Sequence, residues 1–304
     1  MIPSVAVAFP AQSALAGLAV YLALIAAAAF LGGSSVTFLT LGHRPMQVLL
    51  SFTGGVLLGV GLLHLLPHAW LQLDRDIEFT MIWVLAGFFA MFLLERAFHG
   101  HAHHAADGPA CDHDHGPHDH GHAHGSVPTG RWAWCGAFAG LALHSLADGA
   151  ALAASVGADA AHGDGMLAGF ATFLAVVLHK PFDAGIIATL MLNAGAAPRT
   201  RLIVNSLYAA VVPLGAVAFL CSLSLFGGRQ EMVTGVAMAM AAGAFLCIAA
   251  ADLLPEVQFH SHDRVLLTTA LALGLACAWG ISALERVSHA HAVHAGADGE
   301  SHEH

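Results

Sequence analysis

Long apolar runs are the feature that most limits how this chain can fold. A helix of about 20 apolar residues crosses the hydrocarbon core of a bilayer. In lipid every backbone polar group needs an internal partner, so helices are the usual way to span it. Eight such runs follow one another, at residues 13–31, 48–70, 79–98, 132–156, 166–193, 202–226, 232–258 and 265–284. The sequence therefore predicts an all-α membrane protein with eight transmembrane helices.

The composition supports a chain whose main partner is a lipid bilayer. Only 10% of the 304 residues are charged and 57% are hydrophobic, whereas soluble domains are about 25% charged. The formal net charge of −10 argues against nucleic acid as a partner. The five cysteines form no CxxC pair and are interpreted as packing residues. A homodimer is one assembly that the sequence leaves open.

The runs and the basic residues together predict the organisation and topology of the chain. Residues 1–98 hold three spans, 99–131 a long polar loop, 132–288 five more spans and 289–304 a tail. With the N-terminus outside, the cytoplasmic loops contain six of the nine arginines: Arg44, Arg96, Arg131, Arg199, Arg201 and Arg264. Because basic residues favour the cytoplasmic side, both termini are expected to be extracytoplasmic. A plasma membrane, such as a bacterial inner membrane, is the expected location.

The loop between the third and fourth runs is rich in histidine. The chain has 23 histidines, and six of them are closely spaced in this loop: His113, His115, His118, His120, His122 and His124. Imidazole and carboxylate ligands together suit zinc-like ions. The loop is predicted to capture or sense metal ions on the cytoplasmic side, with a solvated spacer as the alternative. The tail after residue 288 repeats the pattern weakly.

The strongest functional signal is a pair of His-x-x-x-Asp motifs inside two neighbouring apolar runs. His144 precedes Asp148 in the fourth run, and His179 precedes Asp183 in the fifth. Residues four apart share a helix face, and ionisable groups at membrane depth are costly and usually functional. Two nitrogen and two oxygen ligands match a zinc site. A polar network that only joins the helices is the alternative.

Two residues inside the second motif modify this hypothesis. Pro181 removes a backbone donor from its helix, which predicts either a hinge or a passive bend. Lys180 lies beside the carboxylates, with which a buried ammonium would pair. It would then neutralise the empty site or occupy the place of a second ion. Snorkelling of its side chain to the membrane interface is the other interpretation.

Two further segments place ionisable residues near the ends of predicted spans. His64 and His68 form an i, i+4 pair around Pro67 in the second run. Asp252 and Glu256 have a similar spacing in the seventh run. These four ionisable residues are predicted to line an ion pathway, with an interfacial histidine cap as the alternative for the first pair.

These motifs together resemble the ZIP (Zrt/Irt-like protein) family of metal transporters. Residues 144–149 resemble its helix-four motif of the type HNxPEG, and 179–183 its helix-five motif of the type H/Q-E/D-x-P-H/E. Residues 64–68 are similar to its helix-two HLLPH, and 252–256 to its helix-seven acidic motif. The resemblance implies an eight-helix bundle of metal transporters with extracytoplasmic termini. Our hypothesis for this chain is uptake of divalent metal toward the cytoplasm by alternating access.

The departures from the family pattern imply a single metal site. A binuclear centre is common in the family, and its first position corresponds to the four residues of the paired motifs. Its second position corresponds to Ser145, Lys180 and Val212, which offer a weak ligand, a cation and no ligand. The resemblance therefore implies a mononuclear His₂Asp₂ site. The helix-seven histidine of the family is Ala251 here, so that part of the path is altered.

The sequence thus predicts a zinc carrier with no catalytic cofactor, and cadmium, iron and manganese remain open as further ions. A cation diffusion facilitator-like exporter also uses carboxylate–histidine pairs, but on helices two and five of six. An intramembrane zinc hydrolase would need a motif such as HExxH, which the chain lacks. Both remain alternatives at the level of sequence.

Overall fold

A computed structural model describes residues 12–36, 42–98, 133–161, 168–253 and 264–299. This part of the chain contains helices and no strand, which confirms the all-α prediction. The helices are α1 (Gln12–Ser35), α2 (His43–Val60), α3 (Leu66–Gln72), α4 (Ile77–Phe98), α5 (Ala133–Ala161), α6 (Phe170–Asn193), α7 (Pro198–Ala209), α8 (Val211–Phe226), α9 (Gln230–Ile248) and α10 (Arg264–Gly299). A π segment, Gly61–Leu65, joins α2 to α3, and another, Ala249–Leu253, follows α9.

Seven helical stretches in the described residues are long and apolar enough to cross a membrane. One of them, Pro198–Ala251, is 54 residues long. At 1.5 Å per residue it would extend about 80 Å, against a hydrocarbon core of about 30 Å. A 3₁₀ turn at Gly227–Arg229 interrupts it. The chain is an integral, multi-pass membrane protein, and the number of eight crossings stays a prediction.

The distribution of side chains is that of a bundle surrounded by lipid. Large apolar side chains such as Leu24, Ile82 and Leu85 are exposed on the outer faces of the helices. Polar residues such as Gln47 and Ser51 are buried in the interior. Because lipid solvates apolar surface, exposed leucine has no cost there. The buried polar groups therefore indicate that a binding site would lie in the interior of the bundle.

Glycines allow the closest helix pairs to approach. A Cβ atom on Gly149 of α5 would overlap the carbonyl oxygen of Val212 in α8, and one on Gly215 would overlap that of Leu146. Small residues at such crossings let transmembrane helices pack backbone to backbone. The same arrangement joins α4 to α9 at Gly87 and Gly243, and α2 to α10 at Gly55 and Gly274.

Several helix ends differ from the ends of the apolar runs, and α5 and α10 are two examples. Helix α5 continues to Ala161, beyond the run that ended at residue 156, and α10 continues to Gly299, beyond residue 284. The predicted histidine-rich loop, including all six of its named histidines, lies outside the described residues. Glu256 also lies outside them, so its predicted pathway role stays a prediction.

Candidate metal site

Helices α5 and α6 run antiparallel and place the two His-x-x-x-Asp motifs opposite each other. The His179 Nε2 atom lies 3.3 Å from Asp148 Oδ2 across the pair. Two turns further along, the Thr172 hydroxyl donates to Ser155 Oγ at 2.9 Å. Asp148 and Ser155 are seven residues apart in α5, and their partners in α6 are seven residues apart in the opposite direction. The two contacts therefore belong to one antiparallel register. The helical period therefore brings both motifs to one depth.

Four potential ligand side chains converge at this depth. The Nε2 atom of His144 lies 3.2 Å from Asp148 Oδ2 and 3.8 Å from Asp183 Oδ2. The Nε2 atom of His179 lies 4.0 Å from Asp183 Oδ2. In a tetrahedral zinc site with bonds of 2.0–2.2 Å, neighbouring ligand atoms are about 3.3 Å apart. The separations of both imidazoles from Asp148, 3.2 and 3.3 Å, are close to that value, so His144, Asp148 and His179 form a compact group. Asp183 lies at its edge, 3.8 and 4.0 Å from the same imidazoles. The structure thus brings together all four residues of the predicted set, hereafter the four-residue cluster.

Backbone contacts orient one of the imidazoles toward the centre of the cluster. The His179 Nδ1 atom lies 2.7 Å from the carbonyl oxygen of Ala175. A carbonyl only accepts hydrogen bonds, so Nδ1 carries the proton and donates it. In a neutral ring the Nε2 lone pair then faces the cluster, which is the usual arrangement of a metal-binding histidine. The His144 Nδ1 atom is buried and makes no hydrogen bond to the described residues.

Lys180 is the only lysine in the sequence, and it lies between the two carboxylates. Its Nζ atom is 2.5 Å from Asp148 Oδ2 and 2.8 Å from Asp183 Oδ2. The side chain is fully buried, so it does not snorkel to an interface. The ammonium places one positive charge where the two carboxylates converge, which is also where a metal ion would bind them.

Tyr208 is a site residue that the sequence did not reveal. Its hydroxyl donates to Asp183 Oδ2 at 3.2 Å and lies 3.0 Å from Ser145 Oγ. Ser145 thus contacts the site through Tyr208. One signal was available in the sequence: the chain has only two tyrosines, and this one falls within an apolar run. Its contact with Asp183 depends on how α7 packs against α6, and the periodicity of the sequence does not show that packing.

A cavity of about 240 Å³ begins beside Tyr208, at the end of the bundle where α6 passes to α7. Ser34, Arg201 and Asn205 are among the residues that line it. The Asp183 side chain, which binds Tyr208, is 15% exposed, whereas that of Asp148 is 2% exposed. The four-residue cluster is therefore less enclosed toward this end.

The predicted pathway histidines lie together near the other end of α5. The Nε2 atoms of His64 and His68 are 3.7 Å and 3.5 Å from the carboxylate of Asp159. Sequence reasoning missed Asp159 because it follows the apolar run. The signal that reveals it is helical spacing: it comes eleven residues after Asp148, three turns along the same face.

Asp252 and Pro181 are the remaining predicted residues in the described helices. Asp252 falls in the π segment Ala249–Leu253, but its side chain is outside the described part. Pro181 lies inside α6, which is helical on both sides of it, and Gly32 of α1 packs directly against it. Its predicted role as a hinge therefore stays a prediction.

Comparisons with known proteins agree on one family. The family model described as "ZIP Zinc transporter" matches residues 11–135 and 131–282. Zinc transporter ZIP9 of Xenopus tropicalis is 36% identical over 40% of this chain and 41% of its own length. Zinc transporter ZIP4 of Rattus norvegicus is 28% identical over 80% of this chain and 43% of its length, and ZIP1 of Mus musculus 25% over 79% of each. The chain thus spans about half or less of the ZIP9 and ZIP4 relatives.

Proposed function

This chain belongs to the ZIP zinc transporter family, and we propose that it carries divalent metal ions, zinc first, across the bilayer. Membership in the ZIP family removes the cation diffusion facilitator family as an alternative, and because ZIP members are transporters it also removes the intramembrane hydrolase. We place the protein in a plasma or bacterial inner membrane with both termini extracytoplasmic, because its arginines favour that topology.

The proposed ion site is His144, Asp148, His179 and Asp183. The observation that carries the proposal is the meeting of two imidazole–carboxylate pairs, with separations of 3.2–4.0 Å, inside an apolar bundle. Two neutral imidazoles and two carboxylates give a net charge of −2, which balances one divalent ion. Ligands of this kind favour zinc and cadmium over manganese, and iron remains a further candidate ion.

We propose alternating access, in which the site opens first to one side of the membrane and then to the other. Leu152 and Val176 are fully buried and, by their positions in α5 and α6, lie between the level of the four-residue cluster and that of Asp159. Toward the α6–α7 end, in contrast, the cavity beside Tyr208 reaches the neighbourhood of the cluster. The proposed topology puts this end in the cytoplasm, so the arrangement supports an inward-facing state.

In this proposal the ion approaches along His64 and His68, binds in the four-residue site and leaves on the cytoplasmic side. Asp252 and Glu256 would line the release path, and the histidine-rich loop would receive the ion. Lys180 would neutralise the two carboxylates between transport cycles, and Pro181 would act as the hinge in α6.

Zinc flux into proteoliposomes tests the proposal. Purified full-length protein is expected to raise the uptake of radiolabelled zinc well above that of protein-free liposomes. The Asp148→Asn variant keeps the shape of the side chain but removes one negative ligand, so flux should fall at least 100-fold. The matched control is Asp74→Asn, which removes the same charge from an exposed turn. Equal flux in the two variants would refute the assigned site.

A further inference from the structure

Three side chains from three elements of the fold meet at the end of α5 that lies away from the cavity. His64 is in the π segment Gly61–Leu65, His68 is in α3 and Asp159 is in α5. One potential ligand atom from each lies within 4.8 Å of the other two. We propose that they form a second binding site for a divalent metal ion of the zinc type.

The hydrogen bonds of Asp159 leave one of its oxygens for a cation. The backbone N–H of Gly169 donates to Oδ2 at 2.7 Å. The other oxygen, Oδ1, is buried and accepts no hydrogen bond from the described residues. A buried polar atom without a partner is costly, and most such atoms in proteins are satisfied. A metal ion bound at Oδ1 would satisfy it.

The orientation of His68 presents a metal ligand to that oxygen. Its Nδ1 atom lies 2.9 Å from the carbonyl oxygen of His64, to which it donates. In a neutral ring, Nε2 therefore carries a lone pair, and it lies 3.5 Å from Asp159 Oδ1. Two lone pairs that face each other at this distance repel unless a metal ion, or a proton on Nε2, lies between them. This separation is close to that of two ligand atoms on one zinc ion.

His64 completes a set of two imidazoles and one carboxylate. Its Nε2 atom lies 3.7 Å from Asp159 Oδ2 and 3.0 Å from Ser155 Oγ. Three protein ligands leave a fourth tetrahedral position for water, as in zinc sites that exchange their ligands. His64 and Asp159 are buried, whereas the His68 side chain is 16% exposed. An ion therefore reaches the site past His68.

The second site is separate from the four-residue site. Asp159 is three helical turns, or about 16 Å, from Asp148 along α5. Leu152 and Val176, both fully buried, lie between the two clusters. An ion in the second site would thus wait about three helical turns outside the four-residue site. This place on the transport path rests on the proposed function, but the binding of a metal ion does not.

Anomalous diffraction at the zinc edge from crystals of the full-length protein, grown with zinc, tests the inference site by site. Wild-type protein should show one peak bounded by His64, His68 and Asp159, and another in the four-residue site. Asp159→Asn should remove only the first peak, while Asp148→Asn should remove only the second. The control Asp74→Asn removes an exposed carboxylate at the same end of the bundle and should leave both peaks. If Asp159→Asn does not fold, His68→Gln provides the same test.

The outcomes separate this inference from the proposed function. A peak in the four-residue site alone overturns the second site, which is then only an ion pair between His68 and Asp159. A peak at His64, His68 and Asp159 alone supports the inference and contradicts the assigned transport site. In zinc flux, Asp159→Asn should raise KM at least fivefold with less than a twofold change in maximal rate. An unchanged KM would show that zinc does not pass through this second site during transport.

Discussion

The replacement of Lys180 by methionine tests how the metal-free site is stabilised. The ammonium is fully buried and contacts Asp148 and Asp183 at 2.5 Å and 2.8 Å. Methionine has a similar length without the charge, so it leaves two carboxylates close together and without their cation. Removal of one partner from a buried ion pair costs about 3–5 kcal/mol. The metal-free variant should lose stability on that scale.

The same change should strengthen zinc binding. In the wild type, zinc has to displace the ammonium or bind against its positive charge, and the variant removes both costs. Since 1.4 kcal/mol is a factor of about ten in affinity, recovery of even half of the 3–5 kcal/mol predicts zinc binding at least tenfold tighter. A carrier that binds more tightly also releases more slowly, so the maximal flux should fall.

Thermal unfolding of the purified protein, with and without zinc, measures both effects. The metal-free variant should unfold at a lower temperature than the wild type, and zinc should raise that temperature more in the variant. Lys180→Arg keeps a buried cation and serves as the control. If zinc stabilises the methionine variant less than the wild type, the ammonium supports the bound state, and this reasoning about competition is wrong.

Further substitutions test the helix packing and the transport path. Gly149→Ala should destabilise the protein by several kcal/mol, because its Cβ would overlap the backbone of α8. The control Gly157→Ala adds a Cβ in open space and should be neutral or slightly stabilising. Equal unfolding temperatures of the two variants would contradict the close crossing of α5 and α8. Tyr208→Phe removes the hydroxyl that donates to Asp183, so zinc flux should fall about threefold to tenfold with the fold retained. Pro181→Ala should keep the unfolding temperature but reduce maximal flux if α6 bends there during transport, and unchanged flux would show that Pro181 is a passive bend.

The sequence predicted the all-α fold and the four-residue cluster because both depend on local periodicity. Apolar runs mark spans, and His144 and His179 each precede a carboxylate by one helical turn. Short connections between neighbouring helices then bring the two pairs together. These signals do not require knowledge of any contact between distant parts of the chain.

What the sequence did not predict depends on tertiary packing. Asp159 follows the apolar run, and only the added turn of α5 brings it to His68. Tyr208 reaches Asp183 because α7 packs against α6, an arrangement that no sequence period encodes. For Lys180 the sequence left three interpretations open, and full burial between the carboxylates removes only snorkelling.

The lysine itself offers the most direct measurement of the central claim. Because the chain contains a single lysine, the full-length protein labelled with ¹³Cε-lysine gives one NMR signal, and metal bound to other histidines does not affect it directly. Zinc should shift this signal in the wild type as the ion takes the place of the ammonium between Asp148 and Asp183, and Asp148→Asn should abolish the shift. A signal that does not move while the protein binds and transports zinc would show that the ion uses another site.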